Sequence, residues 1–139
     1  MAGNTAPIFS RIADIQWAKG ATAANTTTDL TSGTIYLCFT ADATNGGYVQ
    51  RIRIRPLGTN SNATVARVWV NNGSDTTVLG NNVLFDEISI ATTSGTNSAA
   101  LANYELPLNF ALPPGYRIYV TLGVAGAGGF DISVIGGKY

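Results

Sequence analysis

The chain has 139 residues, enough for one domain whose core needs no staples, and its single cysteine excludes an internal disulfide. Charged residues make up 12% of it, against a usual share of roughly 25%, and eight Lys+Arg balance eight Asp+Glu, so binding of nucleic acid by phosphate neutralisation is not expected. Histidine is absent, which removes the commonest general base and the commonest metal ligand together.

Residues 1–13 read as an extended arm, with apolar content at Pro7, Ile8, Phe9 and Ile12. An arm of this kind frays or docks on a neighbour. It has no basic stretch leading into an apolar run, so no signal peptide is expected, and synthesis in a cytoplasm follows. No run reaches ~18 apolar residues, so no membrane-spanning helix and no membrane partner is expected.

Residues 14–139 read as one domain. A short first strand falls over Ala13–Ala18, with Ile15 and Trp17 sharing a face. Gly20–Ser32 is rich in Thr, Ala and Asn and reads as extended chain or loop. Thr34–Thr40 (TIYLCFT) is β-branched and aromatic, and its nearly continuous apolarity predicts a strand buried on both faces. Asn45-Gly46-Gly47 then turns the chain into Tyr48–Pro56. That stretch alternates strictly: Arg51, Arg53 and Arg55 on one face, Ile52 and Ile54 on the other. The two segments read as a β-hairpin, and Pro56, which has no N–H for a ladder, marks a strand end or a sheet edge.

Ala63–Val70 predicts the next strand, with Ala66, Val68 and Val70 opposed to Val65, Arg67 and Trp69. Val83–Ile90 follows, its alternation broken at Asp86-Glu87. Ser98–Asn103 has the composition of one helical turn, and Tyr104–Leu108 is extended. Pro113-Pro114-Gly115 reverses the chain. Tyr116–Leu122 is a strand with Ile118, Val120 and Leu122 on one face, and Gly123–Gly129 reads as a flexible hairpin connection to the last strand, Phe130–Ile135. Seven or eight short strands separated by Gly, Asn and Pro turns predict an all-β fold: a single-domain antiparallel β-sandwich, jelly-roll-like, behind an extended N-terminal arm.

Little chemistry is available to such a chain. Triads that need histidine cannot form. A zinc site would need its ligands from one cysteine and the carboxylates. The glycines of 123–129 precede no helix and so build no phosphate cradle. A two-carboxylate glycosidase, using Asp86 or Glu87 with Glu105 or Asp131, is the one reaction left open, although surface carboxylates are ordinarily solvated or paired with arginines. Asp42 and Asp75 lack the spacing of a calcium loop. Asn25-Thr26-Thr27, Asn62-Ala63-Thr64 and Asn72-Gly73-Ser74 match the glycosylation sequon and read as loop polarity. No cofactor is expected. The arginine face has two readings: a solvated ladder paired with carboxylates, or a subunit contact in which Arg51, Arg53 and Arg55 meet a neighbour's carboxylates or carbonyls. Trp69 joins that contact if strand 63–70 pairs with 48–56, which the short loop permits.

The stretches ANTTTDLTSGTIYLCFTA, YVQRIRIRPLGTN, ATVARVWVNNG, ALPPGYRIYVTLG and the terminal GGKY resemble small β-sandwich virion proteins of tailed bacteriophages, over most of the chain from Ala24 to Tyr139. The resemblance implies a non-enzymatic capsid decoration (cement) or head-fibre protein, often trimeric, on the outer surface of a phage head. Its partners would be the major capsid protein or another virion protein, and copies of itself. The uncharged Thr/Asn/Gly surface suits such a subunit independently. Pro7, Ile8, Phe9, Ile12, Arg51, Arg53, Arg55 and Trp69 are the expected contact residues. The alternative is a receptor- or carbohydrate-binding module of a fibre, with Trp17, Trp69, Tyr104, Tyr116 and Tyr119 as the aromatic supply.

Overall fold

In the computed structural model, which describes residues 10–139, the chain forms eight strands: β1 (Ile12–Ala21), β2 (Tyr36–Thr40), β3 (Gly47–Pro56), β4 (Thr64–Asn71), β5 (Asn82–Ile90), β6 (Tyr104–Leu112), β7 (Arg117–Leu122) and β8 (Phe130–Lys138). They make two four-stranded antiparallel sheets, ordered β1-β8-β3-β6 and β2-β7-β4-β5. The sheets pack into a sandwich-like body. Among the described residues there is no α-helix, only one 3-10 turn at Leu79–Asn81.

The core follows from the period of two. Val49, Ile52 and Ile54 of β3 and Phe130, Ile132 and Val134 of β8 point inward from one sheet. Ala66 and Val68 of β4 and Ile118, Val120 and Leu122 of β7 meet them from the other. Each fully buried Ile, Leu, Phe or Val contributes about 1.5–3 kcal/mol of transfer free energy. Cys38 lies in this core, and burial pushes its thiol up to about 12. The native protein is therefore expected to resist alkylation at Cys38, with labelling appearing only in denaturant. Rapid labelling in native buffer would show that the β2 edge opens.

Several sequence expectations change here. Strands β2 and β3 are not a hairpin: β2 pairs with β7, while β3 lies between β8 and β6 in the other sheet. The Ala41–Gly46 loop crosses from sheet to sheet. It is pinned by the Asp42–Gly46 bridge and by the amide of Ala41 donating to the carbonyl of Tyr116. Strand β2 is an edge strand whose Leu37 is exposed, so it is not buried on both faces. Pro56 ends a central strand rather than marking an edge; the proline within a ladder is Pro107, on edge strand β6 opposite Arg51.

The glycine-rich 123–129 segment also crosses between sheets. It is tied down, not loose: the amides of Gly123 and Gly126 donate to the carbonyls of Val65 and Thr22, and that of Gly128 to the Asn60 side chain. Residues 98–103 hold a bend at Ser98-Ala99 and irregular chain after it, with no helical turn. Strand β1 begins at Ile12, inside the stretch read as arm, and β8 runs on through Gly136 and Gly137 to Lys138. Gly136 packs so closely on β3 that a Cβ there would collide with the carbonyl oxygen of Tyr48.

Candidate interaction face

Because β3 buries Val49, Ile52 and Ile54, it turns Arg51, Arg53 and Arg55 outward from the middle of its sheet. Register then builds the rest of this outer face row by row. Arg51 lies beside Ile135 of β8 and Pro107 of β6, and Ile135 beside Ile15 of β1. Arg53 lies between Ser133 and Glu105, with Trp17 beyond Ser133. Arg55 lies opposite Asp131.

The arginines are partly paired within the chain. The Arg53 Nε and Nη2 both donate to Glu105 Oε1, at 2.6 and 2.5 Å. Arg51 Nη1 is 3.8 Å from Glu105 Oε2. Arg55 makes no ion pair among the described residues; its Nη1 donates to the Leu101 carbonyl at 2.9 Å and to the Asn103 side chain. Asp131 is taken by Lys19 Nζ at 3.3 Å and the Gly20 amide at 2.9 Å. The face therefore carries Lys19 and three arginines against Glu105 and Asp131, a surplus of cation. Exposed pairs of this kind are worth about 0–1 kcal/mol each, so they do not hold the fold together. A polar hollow of about 250 Å³ opens between Gln50, Arg51, Glu105, Pro107 and Asn109. The Arg51 Nε at its wall is buried and has no hydrogen-bond partner among the described residues.

Next to the ladder, β1 presents an apolar column. Ile15 and Trp17 are both more than half exposed, Trp17 at 64%, whereas Ile12, exposed at the start of the strand, shares the opposite face with Gln16. The opposite face of β1 is structural. Gln16 spans the gap to β2, its Nε2 donating to the Thr40 carbonyl and its Oε1 accepting the Thr40 amide, both at 2.9 Å. Gln16 thus closes the β2 edge, and the inward-facing alternate positions force Ile15 and Trp17 outward. Alternation in the sequence places these two on one face, but Trp17 enters the sequence expectations only as one of the aromatic residues of a binding module, and Ile15 not as a contact residue at all.

Trp69 does not belong to this face. Strand β4 is in the other sheet, between β5 and β7. Trp69 points to that sheet's outer side, where Leu30 and Ile35 fold over it beside Tyr119. It is 2% exposed, and its indole N–H donates to Thr121 Oγ1 at 3.0 Å. It offers nothing to a partner. Pro7, Ile8 and Phe9 lie outside the described residues. Ile12 is described, and starts β1.

The aromatic side chains do not gather into a platform. Trp69 and Tyr119 are buried together, Tyr104 and Tyr116 pack on the main core, and Trp17 stands on the opposite sheet. The carboxylates considered for hydrolysis are engaged elsewhere: Glu87 with Arg67 at 3.0 Å, Glu105 with Arg53, Asp131 with Lys19, and Asp86 with the Glu87 amide, which it accepts at 2.8 Å. A shallow hollow of about 480 Å³, lined by Val65, Ile90, Tyr104 and Val124 among others, has no carboxylate in its wall. Among the described residues no group of three or more His, Cys, Asp or Glu side chains is placed to hold a metal ion.

The loop aspartates serve the backbone. The amides of Asn45 and Thr44 hold the Asp42 carboxyl below its ordinary value. The amide and then the hydroxyl of Thr77 do the same for Asp75, and those of Thr31 for Asp29. Each is a turn in which a side-chain oxygen accepts from the chain two residues on. A lowered folded-state value means that the stabilisation is complete above the ordinary 3.8 and is lost as the pH falls through the lowered values. The Tm is thus expected to drop in acid below that point. Asp75→Asn, which keeps the acceptor but cannot titrate, should make the drop shallower; an identical acid profile would contradict the assignment. No protein-family model and no curated protein matches this sequence.

Proposed function

We propose that the chain is a non-enzymatic structural virion protein, a capsid decoration (cement) protein that sits on the outer surface of a phage head and stabilises it through subunit contacts. The observation that carries the reading is the open outer face of the β1-β8-β3-β6 sheet: a rigid ladder of arginines with more cation than Glu105 and Asp131 neutralise, beside an exposed apolar column, on a chain otherwise poor in charge. Arginine forks and exposed tryptophan are the side chains that protein interfaces favour.

The strand order supports a jelly roll. The pairs β1·β8, β2·β7, β3·β6 and β4·β5 are nested, as when one long antiparallel ribbon is rolled up, and this order recurs in viral capsid proteins. That is an analogy of fold, and the function rests on the face. A repeated shell offers repeated sites, so a trimer of modest single-site affinity would be held through several contacts at once. The segment 1–9, continuous with β1, is assigned to the shell or to a neighbour. A saccharide-binding fibre module would need a second exposed aromatic beside Trp17, and Trp69 and Tyr119 are buried.

Changing Arg51, Arg53 and Arg55 together to Ser should leave the sandwich folded, since exposed pairs contribute little, while occupancy on purified heads falls by an order of magnitude or more. Removing residues 2–9, which spares β1, should lower occupancy as well. Full occupancy of both variants would overturn the proposal.

A further inference from the structure

The exposed apolar side chains fall largely into two patches. One is Ile15 and Trp17 on the outer face of edge strand β1, with exposed Ile12 on the other face at the strand's start. The other runs along the β5 edge: Val78, Leu79 and Val83, with Leu84 on the strand's outer face and the Phe85 ring packed against Phe110 of β6. Strand β1 is the edge of one sheet, and β5 is the edge of the other. The sheets stack with β1 over β2 and β6 over β5, so the patches stand on opposite sides of the sandwich.

Their charges differ in sign. The β1 patch is flanked by exposed Arg11 and Lys19, and the arginine ladder lies behind it. The β5 patch is flanked by Asp75 and Asp86, and by Glu87, which is paired with Arg67 of β4. From Val68 to Tyr116 the sequence holds these three acids and Glu105, and not one Lys or Arg. A chain with zero net charge has thus put an apolar patch with a cationic rim on one side and one with an anionic rim on the other.

Two copies of either patch would bring like charges together, whereas one patch of each kind is complementary. Strand addition at β5 is disfavoured, because Phe85 is bulged out of register against β4 and Asp86 follows it on the edge. Docking through side chains meets neither obstacle.

We infer that the β1 patch of one copy docks on the Val78–Phe85 patch of the next, a head-to-tail contact between copies of this chain. The occupant of each patch is a second copy, and repetition of the contact closes a ring if the rotation between copies allows it. The inference rests on the reading of the chain as an assembly subunit and names the contact within the oligomer. It leaves segment 1–9 to the shell.

The test uses two full-length variants in which exposed side chains become glutamate. Ile15→Glu with Trp17→Glu blocks the first patch, and Leu79→Glu with Val83→Glu blocks the second. These side chains are 53%, 64%, 63% and 57% exposed, so the fold is not at risk, and circular dichroism checks it. Mass is read by light scattering. The wild type is expected to be an oligomer, and each variant alone a monomer of 14.5 kDa. An equimolar mixture retains one intact patch of each kind and should form a dimer that grows no further. The blocked faces have each lost their apolar side chains to glutamate and cannot rescue each other. An oligomer that survives in either variant, or a mixture that stays monomeric, overturns this contact while leaving assembly itself standing. A wild type that is monomeric overturns the contact too, and binding to heads then decides separately whether the decoration reading survives.

Discussion

Trp69→Ala is expected to lower the free energy of unfolding by about 3–5 kcal/mol, the range for emptying a buried tryptophan site. The side chain is a core of its own on the outer side of the β2-β7-β4-β5 sheet. Leu30 and Ile35, from the loop between β1 and β2, close over it, and Tyr119 packs beside it. Among the described residues these four side chains make up that cluster. The loop is held in the closing shape at both ends. Leu30 adopts φ 64, an unfavourable conformation for its side chain, within the turn that Asp29 forms on Thr31. Asn25 holds the other end, its Nδ2 donating to the carbonyls of Ser32 and Thr34 at 2.8 and 3.0 Å. Losing Trp69 should therefore also release the loop, seen as faster amide exchange and new proteolytic cleavage between residues 22 and 35. Trp69→Phe keeps most of the packing but loses the N–H bond to Thr121, so it should cost about 1–2 kcal/mol. A loss below about 1 kcal/mol for the alanine variant, short of the range for a buried aromatic, would mean that the loop does not depend on the tryptophan.

Asn60→Leu should cost about 2–4 kcal/mol, although the shape is nearly kept, because buried donors lose an acceptor. Asn60 is fully buried. Its Oδ1 accepts the amides of Gly128 and Gly129 at 3.0 and 3.2 Å, and its Nδ2 donates to Thr93 Oγ1 at 3.1 Å. Its backbone exchanges two further bonds with Thr93. One side chain thus joins the loops after β3, β5 and β7 at one end of the sandwich. The amide of Gly129 keeps a bond to Gly126, but that of Gly128 is left without one. Denaturant unfolding gives the size, and the exchange rate of the Gly128 amide gives the cause. Wild-type stability in the leucine variant would show that water replaces the side chain without cost.

The faces of single strands were legible in the sequence, and the partners of strands were not. Alternation correctly grouped Ile52 with Ile54 on one face of β3, and Ile118, Val120 and Leu122 on one face of β7, and both faces are buried. But a period of two carries no sign of which sheet a strand joins. The Ala41–Gly46 loop is short enough for a hairpin, yet it crosses the sandwich, and only β4 and β5 are neighbours in both sequence and sheet. Alternation also leaves open which face is inward. On β1 the apolar pair Ile15 and Trp17 is outside while Gln16 reaches across to Thr40, so an apolar pair that shares a face need not be core.

The candidate face was legible in part. The arginine ladder stands out in five residues of sequence. Its carboxylate, Glu105, comes 52 residues after Arg53, and only the β3–β6 register joins them. Proximity along the chain draws Trp69 to the ladder, and the sheet crossing removes it. The absence of any cation between Val68 and Tyr116 is legible throughout, but without topology it points to no particular side of the molecule.

A density map of the native particle tests the decoration role most directly. Copies of this eight-stranded sandwich are expected on the outer surface of the head, at repeated positions, with the arginine-bearing sheet face covered by a neighbouring subunit. Particles whose outer surface carries no such density, or copies that stand with that face bare to solvent, would contradict it.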